Sequence, residues 1–192
     1  KEGVPFYWNN QLAYPSILKR FFAPMAWFNV DPLSTEGADE IPYAVGDFNL
    51  DYTEVDSGVP VGFWHSVGSS FNAFFIESAI DESAHLAGQD PLLYRMKLLN
   101  GKTRFQKVLN KVAEESQWGR ELPKGHGLGI CLHKTRGSIA GAVIEVSTGV
   151  KGMLKLHKAW ISIDCGKIIN PNTIRAQMEG GFTFGLSATL GE

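Results

Sequence analysis

The chain has 192 residues, 18 Lys and Arg against 20 Asp and Glu, a net charge of −2 and 44% hydrophobic residues. That apolar content suffices for a buried core and excludes a disordered chain, and the balanced charge leaves no electrostatic footprint for nucleic acid or an anionic membrane surface. The longest apolar run, Phe21 to Phe28, is broken by Pro24 and is far short of the ~20 residues that span a bilayer; no pattern of a signal peptide occurs either.

Residues 1–58 are rich in aromatic side chains, and 16 of the chain's 22 lie before residue 76. Pro5, Pro15, Pro24 and Pro32 punctuate this segment, which reads as loops and short extended pieces, with one strand over Tyr43 to Thr53. Residues 59–70, VPVGFWHSVGSS, form a glycine-bearing connector in which Ser69 or Ser70 can cap a helix over Phe71 to Leu86, with Gly88 just past its end. Asp90-Pro91 supplies an N-cap and an N1 proline for a second helix to about Leu99. A third follows from Thr103 to Ser116, with Phe105, Val108, Leu109 and Val112 on one face. Leu128 to His133 and Ser138 to Ser147 read as strands, the latter with Ala142, Ile144 and Val146 on one face. Met153 to Asp164 alternates strongly and forms an antiparallel hairpin with Ser138 to Ser147, across a turn at Gly149 to Gly152. Asn172 or Thr173 then caps a final helix carrying Ile174, Met178 and Phe182. The fold class is α+β: a helical middle and a hairpin-containing C-terminal half closed by a glycine-rich helix. Three segments, 1–58, 59–124 and 125–192, divide one unit.

Several chemistries are excluded. Cys131 and Cys165 stand 34 positions apart, the five histidines are scattered, and no CxxC, HExxH, GxSxG or P-loop pattern occurs. Zinc, iron–sulfur and nucleophile-elbow sites therefore lack their residues, and no metal ligand is assigned. Two stretches remain. In 62–70 a glycine loop runs into a helix start, where main-chain N–H groups and the helix dipole favour an anion; His65 and Ser66 add side-chain donors. In DCGKIINPNTIRAQMEGGFTFG, residues 164–185, Gly180, Gly181 and Gly185 interrupt a helix at a cost of ~1 kcal/mol each relative to alanine, which predicts that something approaches the backbone closely. Gln177 offers both donor and acceptor to a polar heterocycle. The acidic groups Glu77 with Asp81 and Glu82, and Glu114 with Glu115, read as solvated helix faces; Glu145 reads as an outward strand position opposite Ile144 and Val146.

The run GVPVGFWHSVGSSFNAFFIESAIDESAHLAGQDPLLYRMKLL and the pair GSIAGAVIEVS and ISIDCGKIINPNTIRAQMEGGFTFGLSA resemble the molybdopterin-binding large subunit of bacterial molybdenum hydroxylases. The likeness is strongest to the isoquinoline 1-oxidoreductase β-subunit and aldehyde dehydrogenase type within the xanthine dehydrogenase and aldehyde oxidase superfamily. It covers most of residues 58–100 and 137–188. The resemblance implies molybdopterin, in its cytosine dinucleotide form with molybdenum, and oxidation of an N-heteroaromatic compound or an aldehyde with oxygen from water. It implies an iron–sulfur small subunit as partner, with a cytochrome c subunit as a further candidate, and a periplasmic rather than cytoplasmic location.

Residue by residue, the family's W-R-S-V-G loop corresponds to Trp64-His65-Ser66-Val67-Gly68, with His65 in place of the arginine. This implies cofactor contacts from His65, Ser66 and Gly68, chiefly through main-chain N–H groups, and a place for Val67 near the substrate. The family's Q-x-E-G-G segment corresponds to Gln177 through Gly181, which gives Gln177, Gly180 and Gly181 cofactor contacts. The family's catalytic base is a glutamate in a G-x-G-E motif well beyond that helix. Leu190-Gly191-Glu192 resembles it only superficially, so no catalytic residue is assigned, and the expectation is an internal fragment, inactive alone. The rival reading is a family-like scaffold that binds a partner without holding the cofactor, for which His65 in place of arginine is the best support.

Overall fold

The computed structural model describes residues 3–22, 30–149 and 152–191; Pro24 and most of the apolar run around it, the centre of the 149–152 turn, and Glu192 lie outside the described residues. The described elements run, in order, β1 (Tyr7–Tyr14), α1 (Ile17–Phe21), α2 (Pro32–Thr35), β2 (Asp47–Glu54), α3 (Gly68–Leu86), α4 (Pro91–Leu98), α5 (Thr103–Ser116), β3 (His126–Thr135), β4 (Ser138–Thr148), β5 (Leu154–Asp164) and α6 (Pro171–Leu190). β1 and β2 form a two-stranded parallel ladder, Tyr7 opposite Asp47 through Tyr14 opposite Glu54. β3, β4 and β5 form an antiparallel meander in that order. One core joins both sheets and the helices between them, with Leu12 and Tyr43, Ile76, Ile80, Leu98, Leu109, Leu132 and Val143 among its members.

The first segment is more ordered than its composition suggests. β1 alternates, with Trp8 and Leu12 turned inward and Tyr7 and Gln11 outward. Asn9 and Asn10 hide that alternation in the sequence, because asparagine is a poor strand former. The ladder is possible because α1 and α2 fill the crossover, and one buried carboxylate organises both. Asp31 caps α2 through Leu33 N at 2.8 Å and accepts from Ser16 Oγ at 2.8 Å and Leu18 N at 2.9 Å at the start of α1. The β2 strand starts at Asp47, four residues later than the alternation implies, because Ala44 N donates to Leu98 O at 2.7 Å and Tyr43 is committed to the core.

The middle helices follow their sequence signals closely. Asp90 Oδ1 accepts from Leu92 N and Leu93 N, and Pro91 occupies the first turn of α4, as the cap rules require. α3 begins at Gly68, earlier than expected, and neither serine caps it: Ser69 Oγ meets Thr135 Oγ1 at 3.1 Å and Ser70 Oγ donates to Val67 O at 2.7 Å. α6 is capped by Asn170, not Asn172 or Thr173; Asn170 Oδ1 accepts from both of those amides, which leaves Pro171 at N1.

Two expectations about carboxylates are corrected. Glu77 is not on a solvated face. It is 7% exposed and holds Arg95 Nε at 3.0 Å, Tyr43 OH at 2.7 Å and Leu132 N at 2.9 Å. The Arg95 side chain is fully buried and also reaches Asp81 Oδ1 at 2.5 Å and Glu77 O at 3.1 Å. Burial pushes the Glu77 carboxyl above its ordinary range, against the pull of Arg95 and its hydrogen-bond donors. Burial acts to lower Arg95, but Glu77, Tyr43 and Asp81 outweigh it and keep the guanidinium protonated.

Glu145 is likewise not solvated, and the two faces of β4 are reversed. Ile139 and Val143 are buried, and a Cβ at Gly141 would lie 3.0 Å from Val108 Cγ1, so the face that carries Glu145 is the one covered by α5. There Glu145 pairs with Arg120 at 2.6 Å and His126 at 2.7 Å, and these partners hold its carboxyl below the ordinary range, His126 first. Ala142, Ile144 and Val146 stay half-buried on the opposite face. Beside Glu145 the ladder slips: Glu145 pairs with Lys158 and Val146 with Leu156, so His157 is a bulge, stacked 4.2 Å from His126.

The end of β5 is tied to α5 by a two-point contact, Arg104 Nε to Asp164 Oδ2 at 2.8 Å and Nη2 to Oδ1 at 2.9 Å. Arg104 and the Gly166 amide hold the Asp164 carboxyl down to about 2. Its folded value is depressed, so its contribution to stability is present above the ordinary carboxylate range and is lost as pH falls toward 2. Side-chain NMR titration is expected to place the Asp164 midpoint near that value in the native chain, and nearer the ordinary range in Arg104→Ala.

Breaking the buried pair is expected to be costly, because the buried guanidinium keeps only the half-exposed Asp81 as a charged partner while Tyr43 OH and Leu132 N lose their acceptor. Glu77→Leu should lose ~3–5 kcal/mol, while Asp81→Asn, at a half-exposed partner, should lose less than ~1 kcal/mol. Urea unfolding of the two variants checks the contrast.

Candidate functional site

The connector 59–67 reaches α3 through an unusual backbone. Ser66 has φ 64° and Val67 has φ 47° with ψ −129°, two successive left-handed residues without a glycine. For β-branched valine this is a costly conformation, of order 1–3 kcal/mol, which persists only where the surroundings impose it. The turn is closed by Val67 N donating to Trp64 O at 3.0 Å, and His65 Nδ1 lies 3.1 Å from Ser66 Oγ. Beyond it, Gly68 answers a close approach. A Cβ there would lie 2.4 Å from Leu33 O and about 3.1 Å from Ser34 O and Glu36 O. The helix start is thus pressed on the 33–36 backbone, and Asn72 Nδ2 binds Ser34 O and Glu36 O from the next turn.

α6 faces the β4–β5 hairpin across an open space and packs closely on no other described element. Ile174, Met178, Phe182 and Leu186, spaced four apart, form its half-buried stripe, and no residue of α6 is fully buried. Between α6, the hairpin and the connector opens a cleft of about 780 Å³. Ile144, Val146, Leu154 and Leu156 floor it; Phe182, Gly181 and Gly185 come from α6, and Trp64, His65 and Ser66 from the connector. The aromatic bridge across its mouth is made by Phe184, 5.3 Å from Trp64 and 4.9 Å from His65 between ring centroids.

The structure therefore brings His65, Ser66 and Gly181 to one cleft. Gly180 borders an adjoining hollow beside Trp64, Thr183 and Phe184, and Gln177 is exposed nearer the start of α6. Val67 is buried and lines a small apolar space with Tyr14, Ile17 and Phe71 that adjoins the cleft at Trp64 and Phe71, but its side chain does not line the cleft. Gly68 is buried as well, and its lack of a Cβ is used by the protein's own backbone. The sequence reading missed Trp64 and Phe184; a tryptophan in the glycine loop and a phenylalanine seven residues after Gln177 were the available signals.

The glycines of α6 behave differently from Gly68. A Cβ at Gly180, Gly181 or Gly185 would meet nothing within 4 Å. No part of the described chain approaches this helix backbone, so the close approach implied by three glycines is left to a ligand or another segment. Among the described residues no cluster of His, Cys, Asp and Glu could hold a metal ion directly, and no helix is long and apolar enough to cross a membrane.

A glycine-faced helix, a loop of turned amides and an apolar floor make a cleft suited to a flat organic cofactor, and the comparisons give its class. Residues 105–192 match the molybdopterin cofactor-binding domain. The chain is 29% identical over 187 residues to the β-subunit of isoquinoline 1-oxidoreductase from Brevundimonas diminuta, covering 94% of this chain and 24% of that protein. It is 28% identical over 188 residues to a membrane-bound aldehyde dehydrogenase (pyrroloquinoline-quinone) of Gluconacetobacter polyoxogenes, covering 84% and 24%. It is 25% identical over 169 residues to a subunit of nicotinate dehydrogenase from Pseudomonas putida, covering 79% and 14%. The similarity is thus to a molybdopterin cofactor-binding domain over residues 105–192 and to subunits of oxidoreductases over most of the chain, which spans at most about a quarter of the length of these relatives.

The two kinds of glycine are separable by experiment. Gly68→Ala forces a side chain onto fixed backbone and is expected to destabilise by ~1–3 kcal/mol or more. Gly181→Ala removes a helix breaker where nothing stands in the way and is expected to stabilise the 192-residue chain by ~1 kcal/mol. Urea unfolding of both variants decides the matter.

Proposed function

We propose that this segment forms one wall of the molybdopterin site of an oxidoreductase that hydroxylates or oxidises a small N-heteroaromatic or aldehyde substrate. The observation that carries the reading is the convergence of connector 64–66 and α6, 120 residues apart, on one cleft whose helix backbone is open at Gly181 and Gly185. The residues present fit a flat, hydrogen-bonding cofactor. His65 and Ser66 offer polar groups at the mouth, the first turn of α3 reaches the cleft at Ser70, and Gln177 with Gly180 and Gly181 extends the contact along α6. Substrate proximity at Val67 would come from its main chain, since the side chain is buried.

The bound cofactor would supply the redox centre. The chain itself binds and orients: strained amides are fixed in place before the ligand arrives, and Ile144, Val146, Leu154 and Phe182 exclude water from one side. No acid–base residue of the reaction is assigned to this chain, so the 192 residues alone are expected to be inactive. The names of two relatives as subunits support an assembly; we propose an iron–sulfur small subunit, and a cytochrome c subunit, as electron acceptors, with export to the periplasm.

The test is to purify the full-length subunit with its partner and measure molybdenum by mass spectrometry and pterin by fluorescence after oxidation. About one of each per subunit is expected. A folded assembly holding neither would overturn the reading.

A further inference from the structure

The connector is held at two places beyond its own turn. Val67 is buried among Tyr14, Ile17 and Phe71, and Phe63 rests against Phe21 at 5.0 Å. Among the described residues, the exposed stretch between them, Trp64 to Ser66, has only local hydrogen bonds: Val67 N to Trp64 O, and the His65–Ser66 contact. Its long-range contact is with Phe184, which meets both the indole of Trp64 and the imidazole of His65. Phe184 is itself 41% exposed and lies outside the half-buried stripe of α6, so its ring does little for the core.

We propose that Phe184 is a positioning residue, an aromatic latch that holds the left-handed 64–67 turn against α6 and so fixes the width of the cleft. A left-handed serine and valine in succession relax toward ordinary conformations unless something opposes it. Tilted ring contacts at about 5 Å are directional enough to oppose it, which an aliphatic side chain of similar volume is not. This gives His65 a role through its ring face, in shaping the loop. It also explains why an exposed phenylalanine stands beside the glycines of α6. The consequence for cofactor binding rests on the molybdopterin reading; the effect on the loop does not.

The experiment compares wild type, Phe184→Leu and Phe184→Tyr in the full-length subunit, with hydrogen exchange of the peptides spanning 62–70 as the first readout and molybdenum and pterin content as the second. For Phe184→Leu, exchange in 62–70 is expected to rise about tenfold while α5 and β3–β5 are unchanged, and cofactor content is expected to fall several-fold. Phe184→Tyr, which keeps the ring, is expected to restore both. Unchanged exchange in 62–70 for Phe184→Leu would overturn the latch. So would a uniform rise across the whole chain, which would make Phe184 an ordinary packing residue. A loosened loop with undiminished cofactor would support the latch and count against the cofactor lying on this loop. A wild-type subunit without cofactor would fail the functional reading alone.

Discussion

The pairing of Glu77 with Arg95 sets the relation between parts of the chain that are otherwise independent. Glu77 comes from the middle of α3 and Arg95 from α4. Through the same carboxylate they engage Tyr43, from the segment before β2, and the main-chain amide of Leu132 in β3. Two charges removed from water carry a desolvation cost that their attraction offsets only when every remaining donor and acceptor is met. Here both Glu77 oxygens are occupied, and the guanidinium is shared with Asp81 and the carbonyls of Glu77 and Pro91. The arrangement tolerates little rotation of α3. Because α3 begins at the strained connector, fixing its rotation also fixes where Trp64, His65 and Ser66 stand relative to the hairpin.

A second constraint acts at the start of α3. Gly68 lets the helix start settle on the carbonyls of residues 33–36, and Asn72 ties that contact from one turn further on. The conformation of Val67 is the strained link between a helix held at its start and its middle and a loop that must turn toward the cleft. The strain sits where the proposed ligand contacts are, which is where folded chains commonly keep it.

What the sequence made legible follows the range of the interaction involved. α4, α5 and the β4–β5 hairpin rest on local signals, such as Asp90-Pro91, the stripe of Val108, Leu109 and Val112, and the alternation through Leu156 and Ile161. β1 escaped because its partner lies 40 positions away and Asn9-Asn10 masks its pattern. Glu77 looked solvated beside Asp81 and Glu82, because the arginine that redeems its burial belongs to the next helix. The faces of β4 were reversed for a related reason: small residues, Gly141 above all, mark the side against which α5 packs, whereas Ile144 and Val146 were free to face a cleft. Of the candidate site, the glycine loop and the glycine-faced helix could be read from composition and spacing. The Trp64–Phe184–His65 contact could not, since nothing local joins residues 120 apart.

The bulge at His157 bears on how β5 meets its surroundings. Among the described residues β5 has β4 on one side and no strand on the other, so its outer N–H and C=O groups form an edge. Folded chains guard such edges with charge and irregularity. The first half of β5 has both, with Lys155, Lys158 and the bulged His157 between them. The second half, Ala159 to Ile163, has neither, and Trp160 and Ile161 border a groove beside α5. The strand is thus polarised along its length, closed to further pairing where it faces the cleft and open to it where it runs toward Asp164.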